Sequence, residues 1–419
     1  MTVNRTSAAI VCAGIAVLAF GAGILFRRFT PETPQAAQDY RYDFENDPVS
    51  EAFFGKVPPL LETVLSRYEA QREYDSESFP LPPAEHAVFR EKVRHALVRS
   101  MDGPEGQGER WLVRDTSATV SPLADRFAAS CVDTVQVHGR PVHLFTLTIA
   151  DTGDVVPVAL CLPDTQPAPG IVLFSGHSHT ALRDLVVDLD SYQRGMAWRL
   201  CEAGFASLAV AKIDSGILSA LFQQRGERWR ADQWADDEQE AATTLLGIGD
   251  YLIPARQLMA NIAAVEFLAH HPAVDRERIG AAGVSLGGWL TLQTALVNPR
   301  IKAVANFSGM WAYLAPPSVA RDDLANFVGI NDYSQLHPGL WRLGDQNRFI
   351  FAVAPLPMLT GYGRQDLPYI LYKGYFHPAI AQQYEALGKP ENVEVFVHDG
   401  GHMLPPEATI EYFRRRFLH

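Results

Sequence analysis

Past residue 130 the chain carries two hydrophobic rhythms. Short continuous apolar runs, at Ile171 to Phe174, Ala206 to Ile213, Ile279 to Ala282, Ile301 to Asn306, Pro357 to Thr360 and Val393 to Val397, alternate with stretches of helical periodicity such as Pro254 to His270 and Pro405 to Phe417. Strands buried on both faces read as unbroken apolar runs, and parallel strands need crossover helices between them. The pattern predicts an α/β fold, a doubly wound and mostly parallel sheet covered on both faces. Upstream, Val142 to Ile149 and Val155 to Leu162 flank the turn Asp151-Thr152-Gly153-Asp154. They read as a hairpin on a sheet edge.

The first third of the chain has a different texture. Leu61, Val64, Leu65 and Tyr68 follow Pro58-Pro59 on one helical face, and Phe89, Val93, Ala96, Leu97 and Met101 form a second stripe from about Glu85. Residues 45–130 are therefore expected to be a helical extension bracing a main domain at 131–419. Closer to the start, Ala8 to Phe26 is apolar and uncharged, about 28 Å long as a helix and just able to cross a bilayer core. Arg5 precedes it and Arg27-Arg28 closes it, while Ala19-Phe20-Gly21 is a poor cleavage site. Residues 1–29 read as a retained signal anchor rather than a cleaved signal peptide, with the catalytic domain exported. The Pro-rich polar stretch Thr30 to Gln38 makes 30–44 a linker.

The chain has 419 residues, 47% of them hydrophobic, enough for one large α/β domain with extensions. The net charge of −12 and the lack of a dense Lys/Arg run exclude nucleic acid as a partner. Cys12 falls in the apolar run, and Cys131, Cys161 and Cys201 are scattered without metal-ligand spacing. Neither a disulfide framework nor a zinc site is expected.

Candidate chemistry sits at Gly283-Val284-Ser285-Leu286-Gly287, between a strand-like and a helix-like stretch. A serine hydroxyl is a weak nucleophile, and a sharp strand-to-helix turn exposes it while aiming the next backbone N–H, here Leu286, at a developing oxyanion. Side chains at Gly283 and Gly287 would drive the helix into the strand that feeds it. Ser178, in Gly176-His177-Ser178-His179-Thr180, mimics half of this motif, but it lacks the second glycine and follows an earlier strand.

Over roughly residues 85–417 these features resemble the α/β-hydrolases, and among them bacterial esterases related to acetyl xylan esterases and dienelactone hydrolases. The resemblance implies a triad in the chain order Ser, acid, His. It points to Asp366 just past the Pro357 to Thr360 strand, with Asp399 as a rival, and to His402 on the loop after the last strand. His398, inside that strand, reads as structural. The second oxyanion donor should come from the loop Ser175-Gly176-His177-Ser178-His179, through His177 or Ser178, although similar enzymes often read His-Gly-His-Gly there. The implied activity is hydrolysis of a small-molecule ester, an acetyl-type group foremost, by the triad through an acyl-enzyme, with no metal or organic cofactor. Two long segments, Ser215 to Gly249 with Phe222, Trp229 and Trp234, and Phe307 to Phe349 with Trp311, Tyr313 and Trp341, are expected to wall the substrate site or to pin these insertions to the core. A prolyl oligopeptidase-type peptidase is disfavoured because the region before residue 130 is too short and too helical for a β-propeller. A non-catalytic binding relative would have lost Ser, Asp or His, and a haloalkane-type hydrolase would carry aspartate in place of Ser285.

Overall fold

In chain order the strands are β1 (Phe127–Val137), β2 (Arg140–Ile149), β3 (Val155–Cys161), β4 (Ala168–Phe174), β5 (Ala206–Val210), β6 (Val274–Val284), β7 (Ile301–Phe307), β8 (Met358–Gly363) and β9 (Val393–His398). They form one sheet in the order β1-β2-β3-β5-β4-β6-β7-β8-β9. The pairs from β5 through β4, β6, β7 and β8 to β9 are parallel, whereas β1, β2, β3 and β5 pair antiparallel. This computed structural model describes residue 73 and residues 78–418 except 104–105, 107, 119, 179, 214–251, 310–336, 338, 345–347 and 367–372. The expected anchor, linker and first helical stripe lie outside the described residues, as do Phe222, Trp229, Trp234, Trp311 and Tyr313. Among the described residues no helix is long and apolar enough to cross a membrane.

The helices are α1 (Pro83–Ser100), α2 (Met196–Glu202), α3 (Ile253–Ala269), α4 (Leu286–Val297), α5 (Phe349–Val353), α6 (Lys373–Ala386) and α7 (Pro406–Phe417). They cover both faces, as the unbroken apolar strands require. One core layer joins Phe89, Val93 and Leu97 of α1 to Leu258 and Ile262 of α3, Leu290 of α4 and Phe351 of α5. The other joins Met196 and Leu200 of α2 to Tyr412 and Phe413 of α7. The stripe on α1 thus does what its spacing predicts, packing on the sheet domain.

Two features depart from the sequence reading. The edge hairpin is a three-strand meander, because β1 adds to it from Phe127. Most of β1 is exposed on both faces, so no hydrophobic period marks it, and a bulge between Cys131 and Asp133 breaks what alternation there is. The second correction concerns the cysteines. Cys161 at the end of β3 and Cys201 in α2, both buried, form a disulfide with Cα atoms 5.9 Å apart. Their separation of 40 residues carries no motif, and only the fold brings them together. Closing a loop of that length stabilises the folded state by about 4 kcal/mol in the chain-entropy account.

The order β5-β4-β6 sets the place of the site. From β4 the chain moves to one side for β5, then crosses to the other side for β6. The loops leaving β4 and β6 therefore diverge at their carboxyl ends and open a crevice, the usual ligand position in an open α/β sheet. These are the two loops on which the sequence places an oxyanion donor and a nucleophile.

Candidate active site

Ser285 stands between β6 and α4 with φ 60° and ψ −133°, a left-handed conformation that a non-glycine residue adopts at a cost. It is held there by main-chain bonds on both sides: its N–H donates to the Phe307 carbonyl at 2.9 Å, and its carbonyl accepts from the Trp289 N–H at 3.2 Å. A Cβ on Gly283 would lie 2.3 Å from the Gly287 carbonyl, as the motif demands. A Cβ on Gly287 would instead lie 2.1 Å from the carbonyl oxygen of Phe174. The second glycine thus serves the approach of the neighbouring β4 loop rather than clearance from its own strand. Leu286 is the first residue of α4, where helix geometry leaves main-chain N–H groups without intrahelical partners.

The candidate acid and base come from adjacent strand ends. His402 Nδ1 lies 2.8 Å from Asp366 Oδ2. Asp366 is 2% exposed, and its Oδ2 also accepts from Ser308 Oγ at 2.5 Å. A carboxylate only accepts, so this contact puts the ring proton on Nδ1 and leaves the lone pair on Nε2. The two loops are zipped by main-chain bonds, Arg364 N–H to the His398 carbonyl at 2.8 Å and Gln365 N–H to the Gly400 carbonyl at 3.1 Å. Asp399, the rival acid, turns outward with a 96% exposed side chain and pairs with Arg364. His398 is buried, which holds its imidazole below its ordinary pKa, and its Nδ1 accepts from the Gly400 N–H at 3.2 Å.

Ser308 links the two halves. It follows Phe307, which receives the Ser285 N–H, and its own hydroxyl reaches Asp366, so the turn after β7 connects elbow and acid. The sequence reading passes over this serine. Its only signal is position, the first residue beyond the strand next to the elbow strand.

The loop after β4 closes the constellation. Its Gly176 is so near the elbow that a Cβ there would lie 2.8 Å from the Val284 carbonyl and 2.3 Å from the Tyr192 hydroxyl. Tyr192 donates to the His177 carbonyl at 3.1 Å, and its ring stacks on His402 with centroids 5.7 Å apart. The structure thus brings Asp366 and His402 into direct contact, connects the Ser285 turn to Asp366 through the Phe307 carbonyl and the Ser308 hydroxyl, and joins the 175–178 loop to His402 through Tyr192. Ser178 is turned to Asp184, 2.5 Å from its carboxylate. His179 lies outside the described residues. Among the described residues no group of three or more His, Cys, Asp or Glu is placed to hold a metal ion.

The mostly parallel sheet with helices on both faces, a strained serine at a strand-to-helix turn and a histidine bonded to a buried carboxylate on the loops at its carboxyl end belong to the α/β-hydrolase fold class. Within that class, residues 156–328 match the dienelactone hydrolase family, a stretch that contains Ser285 and the 175–178 loop and ends before Asp366. Among solved structures, a candidate acetyl xylan esterase from Bacteroides fragilis is similar at TM-score 0.57 and 17% identity, over 82% of this chain and 85% of that one. A methylesterase is similar at TM-score 0.55 and 16% identity, over 81% of this chain and 66% of that one. No curated protein matches the sequence significantly.

Proposed function

We propose that this chain is a serine esterase that removes small acyl groups, acetyl foremost, through an acyl-enzyme on Ser285. The observation that carries the reading is the 2.8 Å contact between Asp366 and His402 Nδ1, connected to the turn of the strained Ser285 through Ser308 and the Phe307 carbonyl. In this mechanism His402 Nε2 takes the Ser285 hydroxyl proton as Oγ attacks the ester carbonyl. The tetrahedral oxyanion accepts from the Leu286 N–H and from an N–H of the 175–178 loop. When it collapses, the C–O bond to the alcohol breaks, and the proton on His402 leaves with the alcohol. Water then repeats the attack on the acyl-enzyme with His402 as base, and the acid departs. Asp366 keeps the ring tautomer and stabilises its cationic form.

The dienelactone hydrolase match supports ester chemistry, and the two neighbours named for acetyl and methyl esters favour a small acyl or alkoxy group. The test is a series of p-nitrophenyl esters from acetate to palmitate with the detergent-solubilised full chain. We expect kcat/KM to fall steeply beyond butyrate. A rate that rises with chain length would overturn the small-acyl assignment, and inactivity on every member would transfer weight to a peptidase or a binding protein.

The same proposal places the catalytic domain outside the cytoplasm, held by the apolar segment Ala8 to Phe26. Support comes from the buried Cys161–Cys201 disulfide, a bond that persists in oxidising compartments and is rare where thiols are kept reduced. Mass spectrometry of the protein alkylated during cell lysis and digested without reductant should recover the peptides of Cys161 and Cys201 joined. Recovery of both as alkylated thiols would contradict export.

A further inference from the structure

We propose that the cavity between α1 and the turn Leu340–Arg342 binds an organic acid about the size of a sugar unit, whose carboxylate or phosphate is held by Arg99 and Arg342. The proposal is independent of the esterase reading, since neither Ser285 nor His402 enters it.

The sequence of α1 builds one wall. Lys92, His95, Ala96 and Arg99 recur at helical spacing and share a face, distinct from the one on which Phe89, Val93 and Leu97 enter the core. The turn supplies a second wall with Arg342 and Leu343, and Leu252 adds a third side. The cavity measures about 520 Å³, within the range of small-molecule sites. Leu252 also fixes its place in the fold, because it immediately precedes α3, the crossover helix from β5 to β6. Arg256 in the first turn of α3 pairs with Asp154, which leads into β3, and β3 runs antiparallel to β5. The start of α3 is therefore at the carboxyl end of β5, the end of the sheet at which the loops of the candidate active site emerge.

The charges in the lining sort themselves by their bonds. Three cations meet two carboxylates there, an excess of positive charge in a chain whose net charge is −12. Both carboxylates are engaged within the protein. Glu73 pairs with Lys92, and its N–H donates to the Arg342 carbonyl at 2.8 Å, while Asp102 Oδ1 accepts from the Gly108 N–H at 2.6 Å. Ser100 is engaged too, its hydroxyl donating to the Leu97 carbonyl at 2.6 Å and meeting His337 Nδ1 at 2.8 Å. The guanidinium groups of Arg99 and Arg342 differ: among the described residues neither has a side-chain hydrogen bond or an ion pair. The carboxyl end of a helix favours a cation in its last turn, which accounts for Arg99 but not for a second arginine brought beside it by another segment. Each guanidinium offers a planar fork that matches a carboxylate or a phosphate. A bare ion would fill only a small part of the volume, and Ala96, Leu252 and Leu343 present apolar surface suited to a carbon body.

Isothermal titration calorimetry on the detergent-solubilised full chain tests the assignment, with gluconate and glucose 6-phosphate as acids, sorbitol as the neutral counterpart and inorganic phosphate as the bare ion. We expect at least one acid to bind about tenfold or more tightly than sorbitol and inorganic phosphate, with an affinity that falls as salt is added. Whichever acid binds better identifies the anionic group. Arg99→Gln and Arg342→Gln should each weaken that acid about tenfold or more. Arg342→Lys, which keeps the charge without the fork, should lie between Arg342→Gln and wild type. Lys302→Gln, at the amino end of β7, should change nothing. The saturating acid should also protect Arg99 and Arg342 from phenylglyoxal, read by peptide mass spectrometry, while Arg364 still reacts. Circular dichroism confirms that each variant is folded. Failure of both acids to bind, equal binding of sorbitol or inorganic phosphate, or an unchanged affinity in both glutamine variants would overturn the proposal.

Discussion

Ser285→Ala is expected to lower kcat for p-nitrophenyl acetate by about ten-thousand-fold to a million-fold, the range seen when a triad nucleophile is removed from a serine hydrolase. The magnitude follows from what is lost. Without Oγ no acyl-enzyme forms, and only water attack assisted by the oxyanion donors and by substrate binding remains. The fold should not change. The bonds that hold the turn, Ser285 N–H to Phe307 and Trp289 N–H to Ser285, are main-chain bonds that alanine also makes. Alanine at φ 60° is strained as serine is, so the change neither relieves nor adds backbone strain of consequence. Circular dichroism with thermal unfolding, run beside initial rates, separates the effects. Residual activity above one part in a hundred, from a folded variant, would remove Ser285 from the nucleophile's role.

How much of this was readable from the chain depends on the range of the cause. The elbow is legible because its constraints are local: Gly283 is needed by the carbonyl of Gly287 only four positions on. The parallel strands are legible because burial on both faces leaves no polar residue to interrupt them. β1 escapes notice because an exposed edge strand has nothing to alternate against. The disulfide escapes because Cys161 and Cys201 meet only after β3 and α2 have docked on the sheet. Ser308 and Tyr192 escape for a related reason: each bonds a residue from another element through a hydroxyl common in any sequence. Asp366 is an intermediate case. The resemblance points to Asp366 just past its strand with Asp399 as rival, and the burial of Asp366 against His402, which the sequence does not show, supports the first.

That choice sets the second large effect. Asp366→Asn is expected to lower kcat by about ten-thousand-fold, with KM little changed, whereas Asp399→Asn should stay within twofold of wild type. An asparagine at 366 keeps the shape of the side chain but can turn its NH₂ toward His402 Nδ1, which favours the tautomer whose Nδ1 lone pair faces that amide and whose Nε2 carries the proton. Such a ring cannot take the proton of Ser285. Nor does a neutral amide stabilise the imidazolium that forms as the ester is attacked. Asp399 offers no such leverage, since its side chain is 96% exposed and its ion pair with Arg364 is itself in water. Ser308→Ala tests the remaining contact. It deletes the 2.5 Å donor to Asp366 and leaves the 2.8 Å contact to His402, so a loss of about tenfold is expected, well short of that for Asp366→Asn. Steady-state rates for the three variants on one ester rank the contacts. A loss in Asp399→Asn exceeding that in Asp366→Asn would transfer the acid to residue 399, and the buried carboxylate at 366 would then be a structural anchor for the loop that carries His402.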